Sequence, residues 1–236
     1  MTIMLEEAIN YPRESEDWVR TVVIGAVLTL FGVLLIPAIA VFGYYMRVMR
    51  GTLSGEAEPP VFDEWGELLT DGLKGFVVTF VYLLVPGIVF GVSVGGLVLA
   101  VLFGSGDVGF ASALGALAGV LVSAVITLVF WYVVPAAVAN VARTGKVGSG
   151  FAFGELRPVL TSGTYAVPWA LSVAVLVGAG VVTGILNVVP ILGFLLAIPV
   201  TFYATVVAFR LAATGFRDAT DVIVERPEEP AGRPSV

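Results

Sequence analysis

The chain has 236 residues, of which 58% are hydrophobic and only 13% are charged. Because a soluble domain carries about 25% charged residues, this composition excludes an ordinary soluble protein and predicts a polytopic membrane protein. The chain contains no cysteine and no histidine, which excludes disulfides, thiolate chemistry, a Ser-His-Asp triad and a histidine zinc site. Its net charge of −6 argues against nucleic acid as a partner.

The predicted elements begin with an acidic N-terminal tail, residues 1–18. The tail lacks the basic region and the cleavage site of a signal peptide, so we expect it to stay on the mature protein. Residues 19–213 are predicted to form a single all-α membrane domain, and residues 214–236 a polar C-terminal tail. Nearly charge-free runs, each long enough for the ~20 apolar residues of one crossing, predict five transmembrane helices. These spans cover about 19–47, 76–103, 110–140, 166–187 and 191–212.

The first span is the least regular, because Pro37 lies about two thirds of the way along it. One interpretation is a single tilted crossing that is kinked at Pro37. The other is a short re-entrant hairpin, which would move the N-terminal tail to the other side of the membrane. Two full crossings would need about 40 residues, more than the run contains, so we favour the single kinked helix.

The loop after the first span is acidic and ends in a segment with helical periodicity. Its apolar residues recur at spacings of three and four, while Glu67 and Asp71 fall on the opposite, solvated face. Asp63 is a good N-cap residue after the Pro59-Pro60 pair. We predict an amphipathic helix that lies in the membrane interface and turns into the next span near 72–75. The residues assigned to it are Phe62, Asp63, Trp65, Leu69 and Leu73.

The next two spans carry glycines at a spacing of four, which places them on one face of each helix. Small residues let two helices approach closely in a membrane, so we predict that these glycines pack helices within one subunit. A homodimer seam through 87–95 is the alternative. The glycines are Gly87, Gly91, Gly95, Gly115 and Gly119.

The basic residues predict the orientation. They lie in the two long loops, 47–74 and 141–164, and in the C-terminal segment, whereas the turns at 104–109 and 187–192 have none. The positive-inside rule then places the long loops and the C-terminus in the cytoplasm of a multi-pass protein of the cell membrane. With five crossings the N-terminal tail would lie outside. Acid-rich, lysine-poor polar segments are typical of halophilic archaea.

The stretch GYYMRVMRGTLSGEAEPPVFDEWGELLTDGLKG, from Gly43 to Gly75, resembles the signature of an archaeal membrane family, domain of unknown function 4013. The elements that carry the resemblance are Gly43, Tyr44, Arg47, Pro60, Phe62, Asp63, Trp65 and Gly72. The resemblance implies an integral membrane protein and brings no catalytic or binding residues with it.

The spans hold hydroxyl and amide side chains but no ionisable residue at their centres, whereas coupled transporters usually have one. We therefore expect no enzyme activity and no catalytic, cofactor or metal site. A non-catalytic scaffold or accessory membrane subunit is the favoured function, with the lipid bilayer and a homo-oligomer or membrane partner as its contacts. The alternative is a permease or lipid-handling protein that uses uncharged polar residues inside the membrane.

Overall fold

The computed structural model describes residues 2–103 and 110–225, and within these ranges every regular element is a helix. The α-helices are α1 (Thr2–Asn10), α2 (Trp18–Leu30), α3 (Leu35–Ser54), α4 (Trp65–Phe103), α5 (Phe110–Thr144), α6 (Phe153–Leu160), α7 (Gly163–Leu186) and α8 (Pro190–Glu225). Short 3-10 helices lie at Tyr11–Arg13 and Val147–Phe151. Four helices, α4, α5, α7 and α8, are long and apolar enough to cross a membrane. The predicted all-α class is confirmed and the four long apolar helices are consistent with a polytopic membrane protein, while the count of five crossings is not confirmed.

The chain forms two compact units. Unit 1 contains the described residues up to Phe76 and those from Pro135 onward. Unit 2 is Val77–Val134, which comprises most of α4 and α5. The proposed limits of the membrane domain, 19 and 213, stay a prediction.

The first predicted span consists of two helices and is not one helix kinked at Pro37. Helix α2 ends at Leu30 and α3 begins at Leu35, so Pro37 lies in the first turn of α3. A backbone N–H in a first turn has no partner within its helix, and proline costs nothing there. Pro37 therefore belongs to the start of a helix, and the interruption comes before it.

Helices α2 and α3 run antiparallel, and we call residues 18–54 the N-terminal hairpin. Arg20 and Thr21, at the start of α2, line a small cavity together with Asp63. Asp63 in turn binds Arg47 near the end of α3, at 2.5 Å between Nη1 and Oδ1. The start of α2 thus lies beside the end of α3, which is the geometry of the re-entrant alternative. The 13 residues of α2 extend only about 20 Å, less than the ~30 Å hydrocarbon core.

Aromatic side chains form the core of unit 1 around the hairpin. Tyr44 of α3 stacks on Phe62 with ring centroids 4.5 Å apart, and Phe202 of α8 lies 5.5 Å from Tyr44. Gly25 of α2 leaves the space that Phe202 occupies, because a Cβ there would overlap the phenyl ring. Val22, Ile24 and Leu28 of α2 cover the same cluster. The hairpin is therefore held to α8 by aromatic packing.

Helices α7 and α8 form an antiparallel pair. The proline-directed break predicted near 187–190 is present, since α7 ends at Leu186 and α8 begins at Pro190. Ser162 caps α7 by accepting a hydrogen bond from the Thr164 amide at 3.1 Å. At the same end of the pair as Ser162, Gly215 of α8 lies against Pro168 of α7 without room for an unhindered Cβ.

Candidate functional site

Five arginines from three helices lie close together in unit 1, and we call them the arginine layer. They are Arg47 and Arg50 of α3, Arg143 of α5, and Arg210 and Arg217 of α8. Contacts between these helices place them at one end of the unit: Arg50 reaches α5, and both α8 arginines reach Thr52 of α3. Arg143 lies in the last turn of α5, where a cation is favoured by the helix dipole.

Arg47 fastens the end of the first loop to α3. Besides its ion pair with Asp63, it donates hydrogen bonds to the carbonyl oxygens of Asp63 at 3.1 Å and Glu64 at 3.2 Å. Glu64 has a positive φ of 41°, which is uncommon for a residue with a side chain. Arg47 thus stabilises a sharp entry into α4. Asp63 lies two residues before the first residue of α4, so the prediction that it is the N-cap residue is wrong, and it serves as the ionic partner of Arg47.

Asp71 is buried and bound by two cations. Its carboxylate accepts from Arg50 at 2.8 Å and from Lys74 at 3.1 Å, and only 5% of the residue is exposed. Arg50 also donates through Nε to the Ala142 carbonyl at 3.3 Å, so the same group joins α3, α4 and α5. The prediction that Asp71 lies on a solvated face is wrong, because α4 turns that face toward α3. Glu67 is exposed, as predicted.

The predicted interfacial helix is the beginning of α4 and not a separate element. Helix α4 continues without a turn at 72–75, where the prediction placed a change of direction. Of the assigned residues, Phe62 precedes the helix and is buried, and Leu69 is partly buried. Trp65 and Leu73 are about half exposed, at 46% and 50%. The buried face begins with Leu68, which the apolar pattern left out.

The close approach of α3 and α4 depends on two glycines. A Cβ on Gly43 would overlap the Leu68 carbonyl oxygen, and a Cβ on Gly72 would overlap the Ile39 carbonyl oxygen. Two backbones therefore touch at this crossing, and any larger residue would separate them. The sequence indicated both glycines only through the family signature. Their spacing to neighbouring apolar residues carried no separate signal.

Four of the five glycines predicted to pack helices behave differently from this pair. Among the described residues, a Cβ on Gly87, Gly91, Gly95 or Gly115 would meet no atom within 4 Å. Gly119 is the exception, since a Cβ there would overlap the Ser93 side chain. Packing by the other four, in the chain or against a second copy, stays a prediction.

Arg143 organises the second long loop together with a buried amide. Asn140 is fully buried; its Nδ2 donates to the Ser149 carbonyl at 2.9 Å and to Glu155 at 3.1 Å. Its Oδ1 accepts from Arg143 at 2.8 Å, and Arg143 also reaches Glu155 at 3.3 Å. All polar atoms of the amide are used, which fixes the start of α6 against α5.

The two arginines of α8 contact the first 3-10 helix and the end of α3. Arg210 lies over the ring of Tyr11, with Cζ 3.7 Å from the centroid, and approaches the Thr52 hydroxyl at 3.5 Å. Arg217 donates to the Thr52 carbonyl at 3.0 Å. Burial raises the pKa of Tyr11 to about 12, against the opposing effect of the Arg210 charge. Tyr11 is therefore neutral at ordinary pH, and its face is available for a cation–π contact.

The arrangement has the chemistry of structural pairing. Each arginine of the layer binds a carboxylate, a carbonyl oxygen, a hydroxyl or an aromatic face, and each joins segments distant in the chain. Within the part of the chain that the structure describes, no group of three or more Asp or Glu residues could hold a metal ion. From the sequence, these arginines served to orient the protein and Arg47 served as part of the family signature, but no contacts were assigned to them. Their spacing could have indicated shared helix faces. Arg47 and Arg50 are three residues apart, and Arg210 and Arg217 are seven residues apart.

A family model described as protein of unknown function (DUF4013) matches residues 26–188, which is more than half of the chain. The matched range starts within α2 and ends in the turn before α8. No curated protein and no solved structure matches the chain. The family match agrees with the resemblance in the stretch from Gly43 to Gly75, and the chain belongs to the DUF4013 family.

Proposed function

We propose that this protein is a non-catalytic scaffold or accessory subunit of the cell membrane that presents one fixed polar face to a partner. The arginine layer is the observation that supports this proposal. Its cations tie α3, α4, α5 and α8 and both long loops to one another. Substrate-binding loops and lids usually come from weakly held segments, whereas this end of the molecule is held by many cross-links.

In this proposal α4, α5, α7 and α8 cross the membrane, and the N-terminal hairpin enters and returns on the same side. The tip of the hairpin is apolar and exposed, with Val33 94% exposed and Ile36 70%. Leaving such side chains in water costs roughly 1.5–3 kcal/mol each, so the tip favours lipid. The amides of Phe31, Gly32 and Leu34 donate to nearby carbonyl oxygens, which lowers the cost of placing this turn in hydrocarbon.

The polar face then includes α1, both long loops and the end of α8. All five arginines of the layer lie on this side, so the positive-inside rule favours the cytoplasm. The N-terminal tail comes to the same side, in contrast to the five-crossing prediction. A halophilic archaeal source, suggested by the acidic exposed residues, is part of the proposal.

Single cysteines test the topology directly, because the chain has no native cysteine. The positions are Glu7, Ser54 and Val188, which are all exposed. We expect an impermeant maleimide to label Val188→Cys in intact cells, and Glu7→Cys and Ser54→Cys only after permeabilisation. Labelling of Glu7→Cys in intact cells would mean that the first segment crosses the membrane once.

The scaffold role is tested by isolation from native membranes. We expect a stoichiometric partner that carries basic residues, because Glu64 and Glu67 are exposed on the polar face. Glu67→Lys should weaken its retention, and Glu7→Lys on α1 is the control for the same charge change elsewhere on the polar face. Passage of a solute into liposomes that contain only this protein would instead favour the permease class and contradict the proposal.

A further inference from the structure

An apolar groove in unit 1 lies apart from the arginine layer. It runs between residues 9–22 on one side and α7 and α8 on the other. Its volume is about 440 Å³, within the ~300–1,000 Å³ of typical ligand clefts. Val22 of α2, Val175 and Ala179 of α7, and Pro199 and Val200 of α8 form its walls. The proposed scaffold role makes no use of this groove.

The mouth of the groove carries a cation between two aromatic rings. The Cζ atom of Arg13 lies 6.0 Å from the ring centroid of Trp18 and 5.7 Å from that of Tyr203. The Tyr203 hydroxyl is anchored by donating to the Ile9 carbonyl oxygen. Arg13 is exposed, and no carboxylate among the described residues lies within 4.0 Å of its guanidinium. Its charge is thus unneutralised by the protein.

The groove becomes purely apolar away from this mouth. Val22 follows Trp18 by one helical turn, and Pro199 precedes Tyr203 by one turn, so both lie deeper along their helices. Tryptophan and tyrosine favour the headgroup level of a bilayer. The guanidinium then stands at the depth of lipid phosphates, and the walls face the depth of the acyl chains.

We propose that this groove binds a phospholipid with a net negative headgroup. Its phosphate pairs with Arg13, whose planar guanidinium suits phosphate oxygens, and one of its hydrocarbon chains lies between α7 and α8. Water is a poor occupant because the deep walls offer it no polar partners. A free phosphate ion would satisfy Arg13 but leave the apolar walls uncovered.

The test uses the full chain purified in a non-ionic detergent, with native mass spectrometry to count bound lipid. Phosphatidylglycerol is compared with phosphatidylcholine that has the same acyl chains, and inorganic phosphate is added in a separate series. We expect one phosphatidylglycerol bound at least tenfold more tightly than phosphatidylcholine. Arg13→Gln should weaken it about tenfold, as expected for a lost charged hydrogen bond. The control is Arg20→Gln, because Arg20 is also an exposed arginine but lies at the start of α2, outside the groove.

A second pair of variants tests the apolar part of the site. Ala179→Phe fills the groove and should weaken phosphatidylglycerol binding about tenfold, whereas Ala174→Phe on the exposed side of α7 should leave it unchanged. Thermal unfolding without added lipid shows whether each variant is folded. Equal lipid retention by the wild type, Arg13→Gln and Ala179→Phe would overturn the proposal. Competition by inorganic phosphate at the same concentration as the lipid would also overturn the proposal. The hydrocarbon chain of the lipid would then contribute nothing to its binding.

Discussion

The crossing of α3 and α4 in unit 1 and the glycine-rich part of unit 2 use the same residue type with opposite results. At the crossing, Gly43 and Gly72 bring two backbones into contact. In unit 2, Gly87, Gly91 and Gly95 repeat at ideal spacing, and a Cβ on any of them would meet no described atom within 4 Å. The crossing also has charged anchors beside it, Arg47 with Asp63 and Arg50 with Asp71. Glycine spacing permits a close approach, and the neighbouring side chains decide whether it forms.

The largest expected effect comes from enlarging a glycine at the crossing. Gly72→Leu places a side chain where the Ile39 carbonyl oxygen lies, so α3 and α4 must separate. Overpacking usually costs about 1–3 kcal/mol, and a clash with backbone should cost at least the upper value. We expect a strong fall in the thermal midpoint and in the monodisperse yield in detergent.

Gly91→Leu is the matched control in unit 2 and should lower the thermal midpoint less than Gly72→Leu, because a Cβ on Gly91 would meet no described atom within 4 Å. If Gly72→Leu yields no protein, Gly72→Ala serves instead, because its single methyl group already overlaps the carbonyl oxygen. Equal stability of the Gly72 and Gly91 variants would remove the distinction between the two regions.

The next effect tests the charged anchors of the crossing. Asp71→Asn leaves Arg50 and Lys74 without their shared carboxylate. Breaking a fully buried pair costs about 3–5 kcal/mol. The side chains of Arg50 and Lys74 are 40% and 29% exposed, so water compensates in part and we expect about 1–3 kcal/mol. The decrease should appear as a lower thermal midpoint.

Glu67→Gln is the control for this change, since Glu67 lies on the same helix and is exposed. Its substitution should leave the thermal midpoint within about 0.5 kcal/mol of the wild-type value. Similar effects of the two substitutions would show that Asp71 contributes only as a surface charge.

The smallest effect is expected in unit 2, for a hydrogen bond between α4 and α5. The Ser123 hydroxyl donates to the Pro86 carbonyl at 2.9 Å. Hydrogen bonds between membrane helices average about 0.6 kcal/mol, so Ser123→Ala should lower stability by roughly that amount. Thr127→Val is the control, because the Thr127 hydroxyl bonds within its own helix. A loss of stability above about 2 kcal/mol in Ser123→Ala would contradict the expectation that unit 2 is more weakly held than the crossing of α3 and α4.

Features that depend on local sequence could be predicted, and those that depend on distant partners could not. The all-α class and the break before Pro190 follow from apolar run length and proline chemistry. The sequence left the N-terminal hairpin as the less favoured alternative, because the hairpin is held by the packing of Tyr44 on Phe202, which no periodicity reports. Asp71 was placed in water because a helical pattern shows two faces without showing which one meets a neighbour.

The contacts of α8 with Thr52 and Tyr11 have a consequence for the order of biosynthesis. Arg217 and Thr52 are separated by 165 positions in the chain. At roughly 5–20 residues per second, the ribosome needs about 8–30 s to add the arginine after the threonine. During that interval the N-terminal hairpin has been synthesised, but its partners on α8 have not. Chains that terminate before α8 should therefore be recognised by membrane quality control as unfinished.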